Sequence, residues 1–157
     1  MQKVLPFLWF DGRAQDAAEF YAGTFDGCRV VDVMRYGEGG PAPAGSVLTV
    51  TFEIQGQRFA ALNGGPHYTF TPAISFMVHC QTQDEIDRYW ARLAEGGRPM
   101  RCGWITDRFG VTWQIVPVAL QAMLSSAEKA ATARAMGAMM QMVKLDLPAL
   151  QRAFDGR

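Results

Sequence analysis

With 157 residues, 49% hydrophobic and 19% charged, the chain has the size and make-up of one globular domain able to bury a core of its own. Its 15 Lys and Arg are balanced by 15 Asp and Glu, which leaves no basic field to attract a nucleic-acid backbone. Cys28, Cys80 and Cys102 are too widely spaced for a CxxC pair; they argue against a disulfide framework or structural zinc and suit a reducing compartment.

Residues 4–10 form an apolar run ended by Asp11-Gly12 and are expected to be a buried strand. The run is too short to span a membrane, and no small-residue cleavage site follows it. The expectation is a cytoplasmic protein with no membrane partner. Residues 14–25 carry Ala14, Ala17, Ala18, Tyr21 and Phe25 on one helical stripe, and Gly27 stands where a left-handed cap is often needed. Val30, Val31 and Val33 read as a strand, and residues 37–45, rich in Gly and Pro, as a loop. Residues 46–54, the turn Gln55-Gly56 and residues 58–62 make a hairpin.

The order then recurs: a strand over residues 73–78, a helix over 83–93, and a hairpin of residues 102–105 and 111–116 around Asp107-Arg108-Phe109-Gly110. Adding 69 takes Leu5 to Ile74, Phe7 to Phe76, Leu8 to Met77 and Tyr21 to Trp90, while adding 54 takes Gly56 to Gly110 and Phe59 to Trp113. Two βαβββ modules, about residues 3–66 and 73–117, explain both offsets if the first module has the longer middle. Chance likeness of two amphipathic strand–helix pairs is the alternative. After Pro117, Ser125 and Glu128 have capping-box spacing for a helix reaching Val143, and Asp146 with Pro148 opens a last short helix. This helical extension, residues 118–157, packs on the domain or on a second copy of it.

The segments Pro6-Phe7-Leu8-Trp9-Phe10-Asp11-Gly12, Ala61-Leu62-Asn63-Gly64-Gly65-Pro66-His67 and Asp107-Arg108-Phe109-Gly110-Val111-Thr112-Trp113-Gln114 carry a recognisable pattern. It resembles the PhnB-like family labelled 3-demethylubiquinone 3-methyltransferase, of the vicinal oxygen chelate superfamily that includes glyoxalase I, bleomycin-resistance proteins and extradiol dioxygenases. The resemblance implies an α+β fold: a single glyoxalase-like domain, residues 1–117, whose paired modules curl a mostly antiparallel sheet around a cleft, helices outside, usually as a homodimer. It also implies four metal-ligand positions, which fall on Pro6, Ala60, Ser75 and Gln114. Proline and alanine side chains cannot coordinate a cation, and serine and glutamine are weak neutral ligands. No metal and no cofactor is therefore expected. A methyl donor bound in the Rossmann manner would need a glycine-rich turn opening a helix, whereas Gly37-Glu38-Gly39-Gly40 lies in a loop.

If Pro6 and Ser75 face the cleft, strand alternation sends Leu8, Phe10, Met77 and His79 the same way, and Leu62, Gln114 and Val116 join them. Such a wall suits a small apolar or aromatic ligand, although a curled sheet can also fill itself with side chains. Trp104 offers a stacking face or packs in the core. His67, in the loop joining the modules, is a candidate base or a turn histidine. His79 reads as a solvated strand end, Cys102 as an inert buried thiol, and Asp107 with Arg108 as a turn and a surface pair. The leading expectation is a metal-independent, homodimeric small-molecule binding protein with Leu8, Leu62, His67, Ser75, Met77, Trp104 and Gln114 at its site. A lyase or isomerase of the same superfamily and an interaction module using the helical tail are the alternatives.

Overall fold

Pro6 has no N–H to give to a sheet ladder, and the first strand begins immediately after it. The computed structural model describes residues 2–157. In the first unit, ending at Phe70, β1 (Phe7–Phe10), α1 (Ala14–Ala22), β2 (Cys28–Arg35), β3 (Val47–Ile54) and β4 (Gln57–Asn63) follow in order. The strands form one open sheet, β1-β4-β3-β2, with β1 parallel to β4 and the other pairs antiparallel. Paired residues share a face of a sheet. Leu8 pairs with Ala61, Ala61 with Val50, and Phe59 with Phe52; all five are at most 7% exposed. The Tyr21 ring, 5.5 Å from that of Phe52, places α1 over this face.

The second unit, Thr71–Arg157, repeats the plan with β5 (Phe76–Cys80), α2 (Gln83–Ala94), β6 (Arg98–Pro99), β7 (Trp104–Thr106) and β8 (Thr112–Pro117). Its sheet has the same order, β5-β8-β7-β6, with β5 parallel to β8. Ile105, Trp113 and Ile115 are buried under α2, whose Ile86, Tyr89, Trp90 and Leu93 face them. Thr82 caps α2 by accepting from the Glu85 amide at 3.2 Å, while the Glu85 carboxylate accepts from the Gln81 amide at 2.6 Å. The α+β fold and the βαβββ repeat are those read from the pattern of residues.

One correction to the repeat changes which side chains face together. Phe7 pairs with Ala60, whereas Gln114, the counterpart of Ala60, pairs with Met77. The first strands therefore correspond at an offset of 70 and the helix starts at 69, because Asp11-Gly12-Arg13 is one residue longer than Gln81-Thr82. Leu8 and Phe10 thus lie on the helix-covered face, not with Met77. Other boundaries move as well. Val4 is 81% exposed and outside the first strand; α1 ends at Ala22, capped by Gly23, and not at Phe25. Gly27, at φ +68°, turns the chain into β2 and does not cap the helix. The strand expected at residues 73–78 is β5, shifted toward Cys80.

After β8 the chain forms α3 (Val118–Leu124), α4 (Lys129–Gln141) and α5 (Leu147–Asp155). The capping box expected at Ser125 and Glu128 is absent: the Ser125 hydroxyl closes α3 by donating to the Gln121 carbonyl at 2.9 Å. Ser126 instead accepts from the Glu128 amide at 3.1 Å. Leu120, Met123, Ala135, Leu145 and Leu150 form the core of this helical layer, and partly buried Val116 joins it to β8. The tail thus packs on its own unit.

Candidate binding cavity

The face of the second sheet turned away from α2 carries a row of three side chains. Met77 on β5 pairs with Gln114 on β8, which pairs with Trp104 on β7. His79 and Val116 form the next pair along β5 and β8. With Cys102, these residues make one wall of a cavity of about 660 Å³, a volume typical of small-molecule sites. The other wall comes from the tail, with Leu120, Gln121, Leu124 and Ser125 on and just after α3 and Met139 on α4.

Polar groups on these walls are few. The Gln114 Nε2 group donates to Ser75 Oγ at 2.9 Å, fixing the amide on the strand. The Ser125 hydroxyl is engaged with α3 carbonyls. Cys102 has a left-handed φ of 60°, and its thiol lies 3.8 Å from Met140 Sδ. Among the described residues, no Lys, Arg, Asp or Glu lines the cavity. His79 and Cys102 are the His, Cys, Asp or Glu side chains on its walls, and no three such residues come together among the described residues. The four metal-ligand positions that the resemblance implied are Pro6, Ala60, Ser75 and Gln114; at the offset of 70 the counterpart of Ser75 is Leu5 and not Pro6, and neither of those side chains is a donor. The four positions offer one hydroxyl and one amide, and that amide already donates to the hydroxyl. The donor set does not fit a resident transition metal.

Met77, Trp104 and Gln114 are thus brought together, with Ser75 held behind Gln114. Leu62 is on the open face of the first sheet, paired with Trp9 and Thr49. Leu8 lies on the opposite, covered face of that sheet. His67 is exposed, and no hydrogen bond among the described residues orients it as a base. His79 is exposed near the end of β5, as a solvated strand end would be, and also lines the cavity, whereas Cys102 is half-buried and lines it too, not a buried thiol. Asp107 forms the expected turn. Its carboxylate is buried beneath the Trp113 indole, and Arg108 reaches Glu95 at 3.1 Å. The tail residues were missed altogether, although Leu120 and Leu124 at helical spacing directly after Pro117 were a signal for them.

The first unit holds a more polar hollow of about 450 Å³ beside residues 37–45, with Asp16, Tyr36 and Asn63 on its walls. Asn63 there is already committed: Oδ1 accepts from the Ala14 amide at 2.8 Å and Nδ2 donates to Val47 O at 3.2 Å.

Residues 2–116 match the family model described as 3-demethylubiquinone-9 3-methyltransferase. A Bacillus cereus protein described as a putative 3-demethylubiquinone-9 3-methyltransferase, PhnB protein, is similar at 36% identity. The match covers 74% of this chain and 100% of that one, with a TM-score of 0.69. A Pseudomonas aeruginosa protein shares the fold at 22% identity and TM-score 0.62, over 74% of this chain and 98% of its own. The fosfomycin resistance protein FosX from Mesorhizobium loti does so at 18% identity and TM-score 0.52, over 80% of this chain and 100% of its own. No curated protein matches significantly.

Proposed function

The chain belongs to the 3-demethylubiquinone-9 3-methyltransferase family, within the vicinal oxygen chelate superfamily, and on that premise we propose that it is a metal-independent binding protein for a small apolar or aromatic molecule. The observation that carries this reading is the 660 Å³ cavity on the face of the second sheet turned away from α2. Apolar side chains make up most of its walls, and Gln114, steadied by Ser75, is a fixed polar point for orienting a ligand. Trp104 supplies a flat face for a ring. The donor chemistry at Pro6, Ala60, Ser75 and Gln114 supports binding without a cation.

Methyl transfer, the activity in the family's description, is outside this reading. The glycine-rich residues 37–45 link β2 to β3 and open no helix, so they are not a dinucleotide-type cradle for a methyl donor. Three free cysteines fit a reducing, cytoplasmic setting, and no helix among the described residues is long and apolar enough to cross a membrane. A second copy of the chain is the protein partner in this reading, supported by Phe7, Met34 and Ile74, which are 57%, 54% and 73% exposed.

The test is equilibrium binding of N-phenyl-1-naphthylamine, a neutral aromatic fluorophore, before and after exhaustive EDTA treatment, with sedimentation of the same samples. Equal micromolar binding in both samples is expected, by a species of twice the 17.3 kDa chain mass. Binding that vanishes with EDTA and returns with one added metal overturns metal independence, and a clean monomer overturns the pairing.

A further inference from the structure

Half of the cavity is built from chain that the family likeness does not reach. The family match ends at residue 116, and the Bacillus cereus relative, covered over 100% of its length, corresponds to 74% of this chain. Leu120, Gln121, Leu124, Ser125 and Met139 all lie beyond that end and all line the cavity.

This wall is held in place by contacts independent of any ligand. Cys102 and Gly103, at φ 60° and 81°, turn two successive amides toward the tail. They donate to Met142 O at 2.9 Å and Val143 O at 2.8 Å. A side chain at Gly103 would meet Ile115 O at 2.8 Å and Leu145 at 3.0 Å, so the tail lies against bare backbone there. Gln83 on α2 donates to Leu145 O at 3.1 Å and accepts from the Leu147 amide at 2.7 Å. Leu145 and Leu150, both 0% exposed, lock the helices together.

The two walls also agree in charge. Gln114 uses one N–H on Ser75, and its carbonyl oxygen has no partner among the described residues. The Trp104 indole N–H likewise has none. The Gln114 oxygen and the Trp104 indole N–H are therefore open on the sheet side beside the His79 imidazole, and neither wall carries a Lys, Arg, Asp or Glu. An ionised ligand would lose water there without the counter-charge of a Lys, Arg, Asp or Glu.

We propose that the helices after Pro117 are the specificity-determining wall of the site. With the sheet they select an uncharged, flat, apolar molecule whose single hydrogen-bonding end meets Gln114. This inference rests on the reading of the cavity as a ligand site. Its test uses the full chain and two probes: N-phenyl-1-naphthylamine and its 8-sulfonate, the same ring system with one negative charge. Wild-type protein is expected to bind the neutral probe at least tenfold more tightly, and equal or tighter binding of the sulfonate overturns the uncharged class. Leu124→Trp fills the cavity from the tail side and is expected to weaken the neutral probe at least tenfold while circular dichroism and Tm stay close to wild type. Gln121→Trp, at an exposed position, serves the same purpose if Leu124→Trp fails to fold. Trp104→Ala is the sheet-side control. If it weakens binding while the folded tail variants bind as wild type, the site stands and the tail's role in specificity is overturned. If all three variants bind as wild type, the probe lies elsewhere, and both the tail's role and the binding reading fall.

Discussion

The Asp107 carboxylate is 4% exposed and fully engaged. Oδ1 accepts from the amides of Phe109 and Val111 at 2.8 and 3.1 Å, and Oδ2 from the Trp113 indole at 2.9 Å. Trp9 has a similar part in the first unit: its indole donates to Gly65 O at 2.8 Å, and its ring fills the place that a side chain at Gly64 would take. The residues that mark the family therefore mostly build turns, and Gln114 alone among those quoted motifs reaches the cavity wall. Two thiols are equally structural. Burial pushes Cys28 up to about 11, and burial, then the nearby Glu85 charge, pushes Cys80 up to about 12, both from 9.0. The folded state holds these protons more tightly than the unfolded chain, so stability is complete below pH 9 and falls as pH rises through 9 to 12. At pH 8 a thiol at 11 carries about 100-fold less thiolate than one at 9.0. A Cys102→Ala variant, left with these two thiols, is expected to react slowly with iodoacetamide at pH 8 and to speed up above about pH 10. Fast, complete labelling at pH 8 would contradict their burial. Alternation correctly grouped Ser75, Met77 and His79 but not Leu8, because strand faces can be read from one chain only up to the length of the loop that follows. One extra residue in Asp11-Gly12-Arg13 was enough to turn β1 over.

Among the elements, the amphipathic helices were the most legible. Ile86, Tyr89, Trp90 and Leu93 are all buried as their spacing requires, and both hairpins lie between the turn residues that announced them. The tail was read least well. α3 has seven residues, and its closing serine resembles a starting cap, since a serine hydroxyl can serve a following amide or a preceding carbonyl equally well. Sequence spacing does not distinguish these two bonds; the position of Pro117, immediately before the first helical residue, does so better. The docking of this layer has a measurable consequence. Leu145 is 0% exposed, lies beside Gly103 and packs in one cluster with Leu120, Met123, Ala135 and Leu150. Truncating it removes buried apolar contacts and opens a cavity in that cluster. Leu145→Ala is expected to lower stability by about 2–5 kcal/mol in urea unfolding. An unchanged midpoint would show that the tail is not docked as described.

At the scale of the whole chain, the two units share one strand order but only the second has helices added beyond its last strand. Duplication was legible as paired offsets in the sequence, since each strand and helix repeats its own periodicity. The cavity was legible only on its sheet side, because its other wall depends on how the tail folds back, a long-range packing choice that no local pattern encodes. The ligand-binding account can be checked most directly by a crystal structure of the protein with N-phenyl-1-naphthylamine bound. The expected result is the naphthyl ring in the second unit, against Trp104 and Met77 on one side and Leu124 on the other, its amine within hydrogen-bond distance of Gln114 Oε1. A probe on the Trp9 and Leu62 face of the first sheet, or a metal ion coordinated by Ser75 and Gln114, would contradict it.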